Sequence, residues 1–483
     1  MEIQTEIAHF ENDLAEEVRL FGLSDVCVSH QVQRSAGGAT THRVTVQCGA
    51  QSAENTQPGA PAGISDALEI KRLDKRAAKL ACYLSLCALT GQTQPWGSLT
   101  GVRPTKLLRE LQRSGQEELF TELYRVEPHK AESARTILQV QRQAMRGIDE
   151  KAVCLYVCIP FCVTRCSYCS FPGRIAKKGE MEAYIPALVQ EIACAAETIA
   201  ARGVPVCAIY VGGGTPTSLP FPLFQTVLSA LRQHFPQQVE FTLEAGRPDT
   251  IDADKLRLAR DLGVTRLCVN PQTMVDETLR RIGRAHTAQQ VMETVALARS
   301  LGFEKINMDL IAGLPGEGER EFAHTLDKVR QIAPSSLTCH TLCIKRGSRL
   351  RDMQHQLCEG EVVSAMVERA RDLAGELGLR PYYMYRQKYM AGNLENVGYA
   401  RPGNACIYNI AMMDELRDVM ALGMGAVGKY MEGGLIVRKA NPKDLALYLA
   451  RLPQILQNQR AFFSVDNRKM PVYNDQNGDD EEE

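Results

Sequence analysis

Residues 152–171 read AVCLYVCIPFCVTRCSYCSF. An unbroken apolar run passes directly into four cysteines, Cys158, Cys162, Cys166 and Cys169, within twelve positions. A run without polar alternation is the mark of a strand buried on both faces, and the residues that follow it then form the loop at its C-terminal end. Crowded thiols have three readings: a disulfide, a zinc site or an iron–sulfur cluster. The start, MEIQTEIAHFENDLAEE, is acidic and lacks the basic and apolar regions of a signal peptide. The expected compartment is therefore the cytoplasm, where thiols stay reduced. Structural zinc takes four ligands in two pairs, and no second C-x2-C pair follows. A thioredoxin-like C-x2-C would leave Cys162 without a role. The spacing C-x3-C-x2-C favours a 4Fe–4S cluster, in which three thiolates leave one iron open to a substrate or cofactor.

Outward from this loop the same rhythm repeats. Apolar runs at 152–159, 206–213, 239–245, 265–270, 303–313 and 335–344 alternate with amphipathic helical stretches such as EAYIPALVQEIACAAETIA. This βα alternation predicts a parallel sheet with helices outside, an α/β fold. Six units match a partial (β/α)6 barrel, and a doubly wound open sheet has the same periodicity. In both, chemistry sits at the C-terminal ends of the strands. GGGTPT, Glu244, residues 270–273 and Asp309 fall at those places.

The flanks read differently. Residues 1–150 predict an α+β accessory domain, with strands in VCVSHQVQ and THRVTVQC, a mobile loop over GAQSAENTQPGAPAGISD and a long helix from Ala67. The barrel is expected over 151–345 and a C-terminal substrate-covering region over 346–470. The like-charge tail 471–483 is expected to be disordered. A net charge of −1 gives no support for nucleic-acid binding, and no apolar run is long enough to span a bilayer. Cys82, Cys87, Cys194, Cys207 and Cys268, isolated in apolar segments, read as small buried hydrophobes.

CVTRCSYC after YVCIPF resembles the signature of the radical S-adenosylmethionine (SAM) superfamily. YVCIPFC, GGGTPT, LEAGRPDTI, TRLCVNPQT, RIGRAHT and INMDLIAGLPGE occur in order, and the set is similar to the family of oxygen-independent coproporphyrinogen III oxidases. PYYMYRQKYMAGNLENVGYA and LTGVRPTKLL resemble its coproporphyrinogen dehydrogenase (HemZ-type) branch.

The resemblance implies two cofactors, a 4Fe–4S cluster on Cys162, Cys166 and Cys169, and SAM on its open iron. It places Tyr156 and Tyr168 around them, Tyr156 also as a catalytic residue. It places Gly212, Gly213, Gly214 and Thr215 against the methionyl amino group, and Glu244, Gln272, Arg284 and Asp309 against the rest of SAM. It implies an oxidoreductase of heme biosynthesis. Reductive cleavage of SAM yields a radical that takes hydrogen from a propionate β-carbon, carbon dioxide leaves, and coproporphyrinogen III becomes protoporphyrinogen IX in two rounds. An electron donor such as flavodoxin or ferredoxin is the implied partner. Arg386, Lys388, Arg401 and Tyr385 are candidates for the tetrapyrrole carboxylates and ring. A heme-binding chaperone, with His340 as a possible axial ligand, and a heme ring-opening methyl transfer are the alternatives. Three features depart from the family. Cys158 stands where histidine is frequent, Phe171 stands where many oxidases have another cysteine, and no YTSYP-like segment is present.

Overall fold

Two bodies of different make-up divide the computed structural model, which describes residues 1–461 apart from 102, 172, 346, 353–357, 388–389, 391, 393 and 433–434. The acidic tail 471–483 therefore lies outside the described residues.

The first body comprises Met1–Arg135 with Gly392–Leu394. Its sheet has the order β1 (Glu2–Thr5), β2 (Cys27–Arg34), β3 (Thr40–Cys48), β4 (Gln51–Pro58), with β1 parallel to β2 and the rest antiparallel. The helices Glu11–Leu20 and Ala67–Thr90 supply the apolar side chains that cover it. Leu14, Val18, Ala78, Ala81 and Leu86 pack with Val28, Val44 and Val46 in one core. The expected mobile loop over 49–66 is corrected in part, because residues 51–58 form β4. QSAENTQP carries no apolar alternation, since as an edge strand it turns nearly every side chain toward solvent and is held by backbone pairing to β3.

The second body, Thr136–Ala391 with Glu395–Glu483, holds the repeating units. β5 (Val153–Ile159), β6 (Val206–Gly213), β7 (Glu240–Gly246), β8 (Arg266–Val269), β9 (Lys305–Ala312) and β10 (Ser336–Thr341) are all parallel and lie side by side in chain order. A doubly wound sheet reverses its order at a switch point. Here the order never reverses, and this decides for the partial-barrel arrangement. The described sheet is not closed, because β5 and β10 do not pair with each other.

Later strands extend both edges. β11 (Arg380–Tyr385) and β12 (Asn396–Ala400) add antiparallel beyond β10. β13 (Asp418–Leu422) adds parallel to β5, followed by the hairpin of β14 (Val427–Glu432) and β15 (Leu435–Ala440). The crossovers are helical, notably Glu180–Arg202 between β5 and β6 and Glu319–Ile332 between β9 and β10. At the N-terminal ends of the strands, Glu240 accepts from the amides of Ile407 and Tyr408 and pairs with buried Arg266 at 3.4 Å. That seats the helix Ile407–Asp414 under the sheet. No helix among the described residues is long and apolar enough to cross a membrane.

Candidate active site

The cysteine loop leaves β5 at Pro160 and is fixed by its own backbone. The Cys162 amide donates to the Arg174 carbonyl and the Arg174 amide to the Pro160 carbonyl, both at 2.9 Å. The Ser167 amide donates to Ile282 at 3.0 Å, and the Thr164 hydroxyl to the Gly283 carbonyl at 2.7 Å. A loop pinned at both ends presents its three thiols to one cavity of about 260 Å³ at the C-terminal ends of the strands.

Each strand from β5 to β10 contributes a group there. Cys162, Cys166, Tyr168 and Cys169 follow β5, and Gly213 to Thr215 end β6. Glu244 lies on β7 with Arg247 just after it, Asn270 and Gln272 follow β8, Asp309 lies on β9 and His340 on β10. Gln272 has φ +70, a left-handed conformation that costs a non-glycine residue energy and that clusters at functional sites. It is held there by two bonds to β9, from its amide to the Asp309 carbonyl and from the Ile311 amide to its own carbonyl, both 2.9 Å.

The polar groups are set for ligands. Arg284 is 5% exposed. It donates weakly to the Tyr168 hydroxyl at 3.4 Å and to the Gly246 carbonyl at 3.3 Å, and its Nε has no hydrogen-bond partner. A buried guanidinium so thinly satisfied is a ready carboxylate receptor. Glu244 accepts from the Tyr210 hydroxyl at 2.5 Å, and burial pushes its carboxyl up to about 7. Asp309 Oδ1 accepts from Asn307 at 2.7 Å, and its Oδ2 lies 4.0 Å from His340 Nε2. His340 Nδ1 lies 3.2 Å from the Tyr385 hydroxyl, and burial lowers the imidazole's affinity for a proton. Cys162 and Cys169 are raised by burial, Cys169 to about 11.

The structure gathers most of the residues singled out in the sequence. Cys162, Cys166, Cys169, Tyr168, Gly213, Gly214, Thr215, Glu244, Gln272, Arg284, Asp309 and Tyr385 all border the one cavity. Tyr156 and Gly212 are not in its lining. The Tyr156 ring stacks with Tyr210 and Tyr408, at 6.3 and 5.9 Å between centroids. A Cβ on Gly212 would meet Glu244 Oε2 at 2.7 Å, one on Gly213 the Cys158 sulfur at 2.7 Å, and one on Gly214 the Phe161 carbonyl at 2.5 Å. The glycines are thus required first by the packing of the chain itself. Arg386 is buried after β11 and is not in the lining. Arg401 borders a different cavity, with Lys305 and Arg380 at the N-terminal ends of the strands. Lys388 lies outside the described residues. Sequence reasoning passed over Arg165, Arg174, Arg247 and Lys345, which also line the site. The only signal for them was position just after a strand or cysteine, which many surface arginines share.

The comparisons with known proteins agree with this geometry. Residues 156–329 match the radical SAM superfamily. The oxygen-independent coproporphyrinogen-III oxidase-like protein HemZ of Bacillus subtilis is 41% identical over 76% of this chain and 77% of its own. The heme chaperone HemW of Escherichia coli is 30% identical over 57% of this chain and 69% of its own. The solved structure of the radical SAM enzyme coproporphyrinogen III oxidase HemN from Escherichia coli superposes with a TM-score of 0.53 at 24% identity, over 65% and 72% of the two chains, which supports the shared fold.

The cofactors are accordingly a 4Fe–4S cluster and SAM. The residues present fit them. No three or more His, Cys, Asp or Glu among the described residues converge as around a single metal ion. A cubane asks for a wider set, because each thiolate takes a different iron. The cysteine loop offers such a set, with the unpartnered Arg284 Nε beside it for a carboxylate. The chain belongs to the radical SAM superfamily and, within it, to the oxygen-independent coproporphyrinogen III oxidase-like family, on the HemZ-type branch.

Proposed function

We propose that the chain removes carbon dioxide from the propionates of coproporphyrinogen III, leaving vinyl groups, as an oxygen-independent oxidoreductase of heme biosynthesis. The observation that carries this reading is one cavity in which the three cysteines meet Arg165, Arg284 and Lys345, with Arg174 and Arg247 beside them paired to Glu180 and Asp249. A tetracarboxylate needs cations, and planar guanidinium forks suit carboxylates. Glu244 and Asp309 are the two acids there, and Glu244 is held near neutrality by burial.

When bound, the cluster and SAM supply a hydrogen-abstracting radical. The chain's own residues do the rest. Cys162, Cys166 and Cys169 hold the cluster. Arg284 receives the SAM carboxylate, Glu244 its ammonium and Asp309 its ribose hydroxyls, with Tyr168 and Gln272 closing the pocket. Gly213, Gly214 and Thr215 form the β6 wall, and Tyr156 acts from behind it through its stack with Tyr210. Tyr385, Gln387 and Asn396 bring the region after 346 to the cavity rim, where it covers the substrate and excludes water. A one-electron donor such as flavodoxin or ferredoxin docks from solution.

Anoxic incubation of the cluster-loaded protein with SAM, reductant and coproporphyrinogen III tests the reading. Vinyl product and released carbon dioxide are expected. SAM cleavage with no vinyl product would refute it. The likeness to HemW favours a second reading, heme carriage, which predicts stoichiometric heme uptake without decarboxylation.

A further inference from the structure

The Cys154 and Cys207 sulfurs lie 3.4 Å apart at the end of the sheet away from the cysteine loop. They come from neighbouring parallel strands, and a break in register brings them together. Val153 pairs with Val206 and Cys154 with Ala208, so Cys207 is the extra residue of a bulge. A bulge re-aims a side chain, and here it turns the Cys207 thiol onto Cys154. Adjacent strands lie roughly 4.8 Å apart, inside the Cα separation of about 4.4–6.8 Å that a disulfide accepts. The sulfurs have about 1.4 Å to close to reach the roughly 2.05 Å of a disulfide. Cys207 is half-buried and Cys154 fully buried.

We propose that Cys154 and Cys207 form a redox-active dithiol, a modification site that closes to a disulfide on exposure to hydrogen peroxide. Cys207 is the attacking thiol, because it is the more accessible of the two. The contact with Cys154 and the Arg417 charge lower its proton affinity, while Cys154 is raised. The Cys207 sulfur attacks one peroxide oxygen, the O–O bond breaks, and hydroxide leaves as water. The resulting sulfenic acid is then attacked by the Cys154 sulfur. The S–S bond forms, the S–O bond breaks, and a second water leaves. Two thiols lose two electrons and two protons, and the peroxide takes both. Cys406, the third thiol near them, donates to Glu240 at 3.2 Å and burial raises it, so it stays a spectator. In a reduced compartment such a pair is transient and sensing rather than structural.

The site is independent of the reaction proposed above, because its readout is a peptide and not turnover. The cluster-loaded full chain is treated anoxically with a small excess of hydrogen peroxide, alkylated with iodoacetamide, digested and examined by mass spectrometry. A linked Cys154–Cys207 peptide that dithiothreitol dissolves is expected, with alkylation of Cys207 falling in step with its yield. Cys207→Ser should abolish the linked peptide. Cys154→Ala should leave Cys207 as a sulfenic acid that dimedone traps. Absence of the link under conditions that oxidise exposed Cys27, or a link from Cys154 to Cys406 instead, would overturn the proposal.

Discussion

The Tyr210 hydroxyl donates to Oε1 of Glu244 at 2.5 Å, and the same ring stacks on Tyr408 at 4.3 Å between centroids. One residue thus ties the aromatic interior of the barrel to an acid on the cavity wall. Burial raises the Glu244 carboxyl to about 7, and the Tyr210 bond acts against that rise. Tyr210→Phe keeps the stack and removes only the bond, so the carboxyl rises further and is more nearly neutral at pH 7. SAM binding to cluster-loaded protein should weaken about fivefold at that pH, the worth of one hydrogen bond near 1 kcal/mol. The deficit should shrink above pH 8, where both proteins carry the carboxylate. Equal affinities by equilibrium dialysis across that range would remove Glu244 from the SAM site.

Arg284 offers a sharper measure of the same pocket. Its guanidinium is buried and short of partners, so a carboxylate gains fully from it. Arg284→Ala should weaken SAM binding by about 30- to 100-fold, in line with roughly 2–3 kcal/mol for a charged hydrogen bond. Arg284→Lys should recover little, since a point charge lacks the planar fork. Iron content should be unchanged in both variants. Iron lost in parallel with SAM binding would mean that Arg284 supports the loop instead.

Much of this site was legible because its logic is periodic. Buried parallel strands are apolar throughout, so β5 to β10 stood out, and the residues just after them had to face the catalytic end. What escaped lacks such a signal. β4 is a polar edge strand, and β13 has five residues, too few for a pattern. Tyr156 lies six residues before Cys162, and its stack against Tyr210 and Tyr408 could not be read from that spacing. Cys207 read as an inert hydrophobe because a register break between β5 and β6 cannot be seen in one strand's composition.

Cys158 separates the ligand cysteines from their neighbour. It is buried, and that burial pushes its thiol to about 12. Unlike Cys162, Cys166 and Cys169, it sits within β5 and does not line the cavity. Cys158→Ala should load iron and sulfide as the parent does, whereas Cys162→Ala, Cys166→Ala or Cys169→Ala should each lose the brown colour. Iron and sulfide analysis after anoxic reconstitution decides this, and a colourless Cys158→Ala would make it a fourth ligand.

Gly214 tests how tightly β6 and the cysteine loop are packed. A Cβ there would lie 2.5 Å from the Phe161 carbonyl oxygen and 3.0 Å from the Cys162 sulfur. The first of these is backbone and cannot swing aside. Gly214→Ala should cost about 1–3 kcal/mol, the usual penalty of overpacking, and should lower iron content as Cys162 is displaced. Gly375, inside the helix Gly360–Glu376, has nothing within 4 Å of a new Cβ. Gly375→Ala should therefore stabilise by roughly 0.5–1 kcal/mol. Equal thermal midpoints for the two variants would contradict the packing described.

Glu191 ties the strands at the β13 edge to the helix Glu180–Arg202. It is 1% exposed, and it accepts from the Gly423 amide at 2.7 Å and from the Asn441 side chain at 3.2 Å. Burial raises its carboxyl to about 7 against these bonds. A folded-state value above the unfolded one means that the folded protein holds the proton more tightly. The contribution to stability is then complete below about pH 4.5 and is lost as pH rises toward 7, by up to roughly 3 kcal/mol. Glu191→Gln cannot ionise, so its stability should stay flat over that interval and exceed the parent's relative trend above pH 7. Urea unfolding at pH 5, 6, 7 and 8 measures the slope. Parallel curves for parent and variant would show that Glu191 is already ionised at pH 5, with Gly423 and Asn441 outweighing burial.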